Sequence, residues 1–378
     1  MTSDRRTRAW IEVQAASVRR NLRRISEAVG EGAALIPVVK ADGYGLGLER
    51  VVWALEPTNP WGYGVATVEE GRRIRELGSE RPVLILSPLP PGSYRTVVES
   101  GLTACLSDFS GLRHLEEAAA ELGATADFHV EVDTGMGRAG FDWRGASEWG
   151  PVLTARHGHL LRWTGCFTHF HSADSADPSS VWLQWERFQD ALAGVSHPTD
   201  DFLIHGPNSA GALRVGSEVS FGGVRPGIFL YGGSAGEDLP EPEPAVTLRA
   251  RVVHLRDASP GTTLGYAATH VASEAEQWAT LAVGYGDGLP RALGNRGHAL
   301  VKGVRVPIIG RVSMDLTVVN ISAVEGVEVG DVATLIGQDG SERIRVDEVA
   351  EHAGTIGYEI LTGFTARLPR VWMDDGDG

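Results

Sequence analysis

The sequence predicts an α/β chain: an N-terminal (β/α)8 TIM barrel followed by a C-terminal β-rich domain. Three observations carry this. Between residue 34 and about 230, eight short apolar runs alternate with amphipathic segments. The acidic, proline-bearing "GEDLPEPEP" then interrupts the alternation. Beyond it, β-branched runs follow one another closely, separated by Gly, Pro or Asp turns. The domains are expected at 8–240 for the barrel and 241–378 for the β-rich unit, with residues 1–10 candidates to pack against the latter.

The eight strand candidates are "ALIPVVK", "WGYGVAT", "PVLILSP", "TACLSD", "DFHVEVD", "RWTGCFTH", "DFLIHG" and "EVSFGGVR". Each is short and apolar, as a strand buried on both faces should be. Helical patterns follow most of them: "GLERVVWALE", "VEEGRRIREL", "GSYRTVVESG", "GLRHLEEAAAELG", "WRGASEWGPVLTARHG" and "SVWLQWERFQDALAGV". After the seventh run only a short "NSAGALR" remains. A doubly wound open sheet is the structural rival, and the strand count favours the barrel. The second domain is read from "VTLRARVVHLR", "QWATLAVGYGDG", "HALVKGVRVPIIGRVSMDLTVVNIS" and "DVATLIG". The tail "DDGDG" reads as a frayed end.

Composition narrows the class of function. The chain has 378 residues, 42% of them hydrophobic, enough for two sizeable cores. A net charge of −15 opposes non-specific binding to nucleic acid or to an anionic membrane, and suits a small soluble substrate. No apolar run approaches the roughly 18 residues of a membrane helix. "MTSDRRTRAW" has basic residues but no apolar stretch after them, so it is not read as a secretory signal. The two cysteines, Cys105 and Cys166, lie in apolar segments. They read as reduced core residues of a cytoplasmic protein, not as a disulfide or zinc framework.

In a barrel of this kind the active site lies at the C-terminal ends of the strands. The first run ends in Lys40, a charge that would be costly to bury. A lysine snorkelling to solvent and a lysine held for chemistry are the two readings of that position. The fifth run leads into "DTGMGRAG" with Arg138, and the sixth into "THFHSAD" with His169 and His171. The seventh leads to Asn208 and Ser209, and the eighth to Arg225, Gly227 and Ile228. Cations and glycine-rich turns on one rim suit an anionic ligand, since helix starts and turn amides cradle phosphate. The His-x-His pair is also a metal-ligand pattern, but no third ligand cluster accompanies it, so no metal is assigned. Asn-Ser is equally an ordinary helix cap. There is no P-loop lysine.

The segments "VVKADGYG", "VDTGMGR", "THF", "NS", "VRPGI", "LGYAATH", "GYGDG", "GRVSMD" and "GYEIL" with "RLPRV" occur in the order and spacing of bacterial alanine racemases. The chain resembles that family from about residue 8 to 373. The resemblance implies pyridoxal 5'-phosphate as cofactor, a homodimer with shared active sites, and interconversion of L- and D-alanine by two bases. It also implies supply of D-alanine for peptidoglycan synthesis.

By the same resemblance, Lys40 would form the Schiff base with the cofactor and act as one base, and Tyr266 would act as the other. Racemisation needs proton traffic on both faces of one carbon, so a single base is geometrically insufficient. Tyr44, Ser209, Gly227, Ile228 and Tyr358 match phosphate contacts, with Asn208 beside them. His169 would pack on the pyridine ring and Arg225 would donate to its nitrogen. An arginine there disfavours ring protonation and so limits side reactions. Arg138 would bind the substrate carboxylate. Met314 and Asp315 would lie at the substrate side, and Tyr285 and Arg291 would line the entrance. Glu131 stands where many family members carry a carbamylated lysine, and would supply a carboxylate to Arg138 without modification.

Three alternatives remain beside this reading. A related decarboxylase would be expected to place an acid at the pyridine nitrogen, where this chain has Arg225. A racemase of serine or of broad specificity shares the motifs. A non-catalytic pyridoxal-phosphate-binding barrel would lack the second domain and Tyr266.

Overall fold

The computed structural model describes residues 6–196, 198, 201–216, 218 and 222–373. The barrel strands are Ala34–Leu35, Tyr63–Val65, Val83–Ile85, Thr103–Leu106, Ala126–Asp133, Leu161–Phe167, Leu203–Asn208 and Gly223–Arg225, joined in parallel. Part of "EVSFGGVR" (217 and 219–221 nearby) lies outside the described residues, as does the acidic tail. The curled sheet closes through the first segment, which is bonded on both sides. Ala34, Ile36 and Val38 donate to the carbonyls of Gly222, Val224 and Pro226. On the other side Trp61 donates to Leu35, Gly64 to Pro37, and Val39 to Gly64. Pro37 interrupts this strand without cost, because it still accepts although it cannot donate.

The helices fall where apolar periodicity puts them: Leu48–Leu55, Val68–Glu76, Tyr94–Glu99, Phe109–Leu122, Ala146–Arg156, Ser179–Ala193 and Ser209–Val215. Thr67 and Glu70 form a reciprocal capping box at the start of Val68–Glu76, and Asp108 caps Phe109–Leu122. One further helix, Ala15–Val29, precedes the first barrel strand and buries Val18, Leu22 and Ile25.

The chain's N-terminal strand pairs with the second domain. Strand Ala9–Gln14 belongs to the second domain's nine-stranded sheet, antiparallel to Val246–Ala258 and parallel to Arg370–Met373. Its side chains Ile11 and Val13 are fully buried in that sheet's core, which is what draws the chain's start away from the barrel. Strand Val246–Ala258 is long enough to pair with Glu276–Leu281 at one end and with Val332–Asp339 near the other. The strands between those two partners therefore curl into a closed loop.

The linker is strapped down rather than loose. Asn21 Nδ2 donates to the carbonyls of Leu230 and Glu243, while its Oδ1 accepts from the Glu243 amide. Arg20 pairs with Glu243 at 2.6 Å, and Arg24 donates to the Glu241 carbonyl. Two helices of the second domain, Val346–Ala353 and Gly357–Thr362, are held against the barrel mouth. No helix among the described residues is long and apolar enough to cross a membrane.

Candidate active site

Lys40 ends the first strand and begins a left-handed turn, Lys40–Tyr44. Ala41, Asp42 and Tyr44 have φ near +55°, with Gly43 between them. Left-handed backbone costs a non-glycine residue about 1–2 kcal/mol, so several in a row require outside support. Glu70 Oε1 accepts from the Ala41 amide at 2.6 Å, and Asp42 Oδ1 accepts from the Leu48 amide at 2.9 Å. Gly45 closes the turn at φ +79°, where a Cβ would stand 2.3 Å from the Leu361 carbonyl oxygen. The second domain thus presses directly on the lysine's turn. Glu70 is the site residue that sequence reasoning passed over, and its capping-box pattern was the available signal.

A cavity of about 1220 Å³ opens at the barrel mouth. It brings together Lys40, Tyr44, Glu131, Arg138, His169, Asn208, Ser209, Arg225, Gly227, Ile228 and Tyr358. Solvent in the wide mouth reaches Lys40, although protein crowds it on most sides. Burial holds its amine below the ordinary lysine value. Arg138 and, more weakly, Arg225 add to that shift, and Glu70 opposes it.

Arg225 is 3% exposed and, among the described residues, has no carboxylate within ion-pair distance. Its guanidinium donates to the carbonyls of Thr168 and Gly206 at 2.7 and 2.8 Å and to His205 Nδ1 at 2.6 Å. It also lies 4.8 Å over the Phe167 ring. Arginine only donates, so His205 must offer a lone pair at Nδ1 and carry its proton at Nε2. That proton points to His129 Nδ1, 2.8 Å away. Burial, with Arg225 beside it, holds His205 well below the ordinary histidine value, and the same causes lower His129 to about 3. The sequence marks these two histidines only as strand residues. Alternation on a barrel strand places them in the interior, but not their pairing with Arg225.

Facing this charge is a cradle of small and hydroxyl-bearing groups. Ser209 Oγ accepts from the Gly227 amide at 2.8 Å. A Cβ on Gly227 would lie 2.3 Å from the Tyr44 hydroxyl, so any larger residue would displace that ring. The Tyr44 ring stacks on Tyr231 at 4.6 Å, and Tyr358 stands 6.1 Å away. Asn208 is engaged as a helix cap, accepting from the Gly211 amide at 2.9 Å. His169 walls the cavity. Burial, then Arg225, Arg138 and Lys40, lower it to about 3, which leaves a neutral ring. His171 is exposed and bonds Ser172 instead.

Glu131 is buried, and its Oε2 accepts from Ser107 Oγ at 3.0 Å; it makes no hydrogen bond to Arg138. Burial raises its pKa, against the lowering by Ser107, Arg225 and Arg138.

Within one chain the cavity does not gather the remaining candidates. Tyr266 is 70% exposed on a turn of the second domain, and Tyr285, Arg291, Met314 and Asp315 are also exposed. They form a connected surface in part. Tyr285 and Gly286 donate to the carbonyls of Ser313 and Met314, and Arg367 pairs with Asp315 at 2.6 Å and with buried Asp287 at 3.2 Å.

Residues 13–235 match the family described as alanine racemase, N-terminal domain, and residues 245–372 its C-terminal domain. A protein named alanine racemase from Halothermothrix orenii is 35% identical over 369 residues, 97% of each chain. One from Geobacter sulfurreducens is 37% identical over 372 residues, 96% of each. Among solved structures, alanine racemase from Streptomyces coelicolor A3(2) superposes with a TM-score of 0.90 at 30% identity, covering 99% of this chain and 100% of that one. That from E. faecalis gives 0.89 at 32% identity, covering 97% and 98%. The chain belongs to the alanine racemase family.

Proposed function

We propose that the chain interconverts L- and D-alanine with pyridoxal 5'-phosphate held covalently at Lys40. The observation that carries this is a strand-end lysine sharing one cavity with a buried arginine that has no carboxylate partner among the described residues, and with the Gly227–Ser209–Tyr44 cradle. The cavity fits the cofactor: hydroxyls of Tyr44, Ser209 and Tyr358 suit a phosphate, and Gly227 leaves room that a Cβ would fill. When bound, pyridoxal phosphate supplies an electron sink that acidifies the α-carbon of an attached amino acid.

The chain's own groups do the rest. Arg225 presents a positive donor that cannot give up its proton, fixed from behind by His205 and by two carbonyls. Neutral His169 offers a flat apolar face. Arg138, free of ion pairs among the described residues, is available for the substrate carboxylate. The lowered pKa of Lys40 lets its amine act as a base on one face of the α-carbon. Tyr266 serves the other face. Since it stands exposed outside its own chain's cavity, we assign it to the site of a partner subunit in a homodimer. Exposed Tyr285 and Met314 would then lie at that junction.

The test is chemical labelling. The purified protein should show the visible absorption of a lysine-bound cofactor, and borohydride should fix the label on the peptide containing Lys40. A label confined to another peptide overturns the assignment.

Glu131 gives a second, independent check. Its folded-state pKa is raised, so the folded chain binds that proton more tightly than the unfolded chain does, and stability is lost as pH rises through the folded value. Glu131→Gln should therefore unfold at a higher urea midpoint than the native chain at neutral pH. The difference should close as pH falls below the ordinary carboxylate range. The same variant should raise the KM for alanine, since the site loses a carboxyl group near Arg138 and Arg225, and native activity should not depend on added bicarbonate. Equal midpoints at neutral pH, or bicarbonate dependence, would count against this role.

A further inference from the structure

Away from the cavity, one donor atom from each of His298, Glu348 and His352 lies within 4.8 Å of the others. His298 opens strand His298–Val301, while Glu348 and His352 stand four residues apart on helix Val346–Ala353 and so share one face. Neither imidazole makes a side-chain hydrogen bond among the described residues, and Nδ1 of His298 is closed to solvent without any partner. The rings lie tilted at 51° with centroids 5.5 Å apart. A buried ring nitrogen left unsatisfied is unusual enough to call for a ligand.

We propose that His298, Glu348 and His352 form a binding site for a divalent transition ion, Zn2+ in the first instance. Two imidazoles and a carboxylate are the borderline donors that such an ion takes, with water in the remaining position. Donors around tetrahedral Zn2+ stand about 3.4 Å apart, so side-chain rotations closing the present spacing by roughly an ångström complete the site. Arg305 supplies the outer support: it pairs with Glu348 Oε1 and also donates to the Arg343 carbonyl at 2.7 Å, leaving Glu348 Oε2 for the ion.

The site would tie a cavity wall to the sheet behind it. The same helix carries Asp347, Ala350 and Glu351 into the cavity lining, and the next helix carries Tyr358. An ion bridging His298 to this helix pins the wall without entering the cavity.

The experiment uses the full chain after dialysis against EDTA, titrated with ZnCl2 by calorimetry and with CoCl2 by visible absorption. The native chain should take one ion per subunit at micromolar concentration. Co2+ should give the d–d bands of a low-coordinate nitrogen and oxygen site, and saturating Zn2+ should raise the Tm by about 3 °C. His298→Ala, His352→Ala and Glu348→Gln should each weaken binding by about tenfold or more. Their melting curves in EDTA control for folding. If a variant melts early, the Co2+ spectrum of the other two decides. Native binding no tighter than that of a folded His298→Ala, His352→Ala double variant overturns the proposal.

Discussion

Mixing inactive Lys40→Ala with inactive Tyr266→Phe should restore activity. If each site takes Lys40 from one chain and Tyr266 from the other, a mixed dimer has one site with both lesions and one with neither. With free exchange at equal amounts, about half the dimers are mixed and the total recovers to roughly a quarter of the native value. The structural motive is the separation seen within a chain: Lys40 lines the barrel cavity, whereas Tyr266 is 70% exposed on a turn of the other domain and absent from that lining. Activity staying at zero while labelled subunits demonstrably exchange would sink the shared site. Recovery near a quarter also excludes a monomeric site, because every chain in the mixture carries a lesion.

Arg225→Leu should cost both stability and turnover. The leucine leaves the Thr168 and Gly206 carbonyls and His205 Nδ1 without their donor inside the barrel. Each buried acceptor left unsatisfied costs about 1–3 kcal/mol, and partial relaxation brings the expected total to roughly 3–5 kcal/mol. Glu131 loses a nearby positive charge at the same time, which drives its pKa further up. Loss of the fixed donor from the cavity should lower kcat by about a hundredfold or more. Urea midpoints, together with kcat at saturating alanine, check both effects. Arg225→Lys separates them: it keeps the charge but not the forked geometry, so stability should recover more than rate. A leucine variant within twofold of native kcat would show that Arg225 has no part in the chemistry.

The sequence by itself determined the architecture and most of the cavity. Short buried runs alternating with amphipathic helices specify a parallel barrel because both faces of each strand must be covered, and strand ends necessarily converge on one rim. Lys40, Arg138, His169, Ser209 and Arg225 could therefore be placed together without coordinates. The resemblance, rather than periodicity, supplied Tyr44, Tyr358 and Tyr266. Only the tertiary structure decided what surrounds them. Burial of Ile11 and Val13 fixes strand Ala9–Gln14 in the second domain's sheet through residue 14, since a single short strand is stabilised wherever its apolar face finds a core. Glu131 turns to Ser107 rather than to Arg138, because a carboxylate on a buried strand bonds the nearest donor within its short reach. The Arg225–His205–His129 chain joins three different strands. Such contacts depend on register between strands far apart in sequence, which no local pattern encodes.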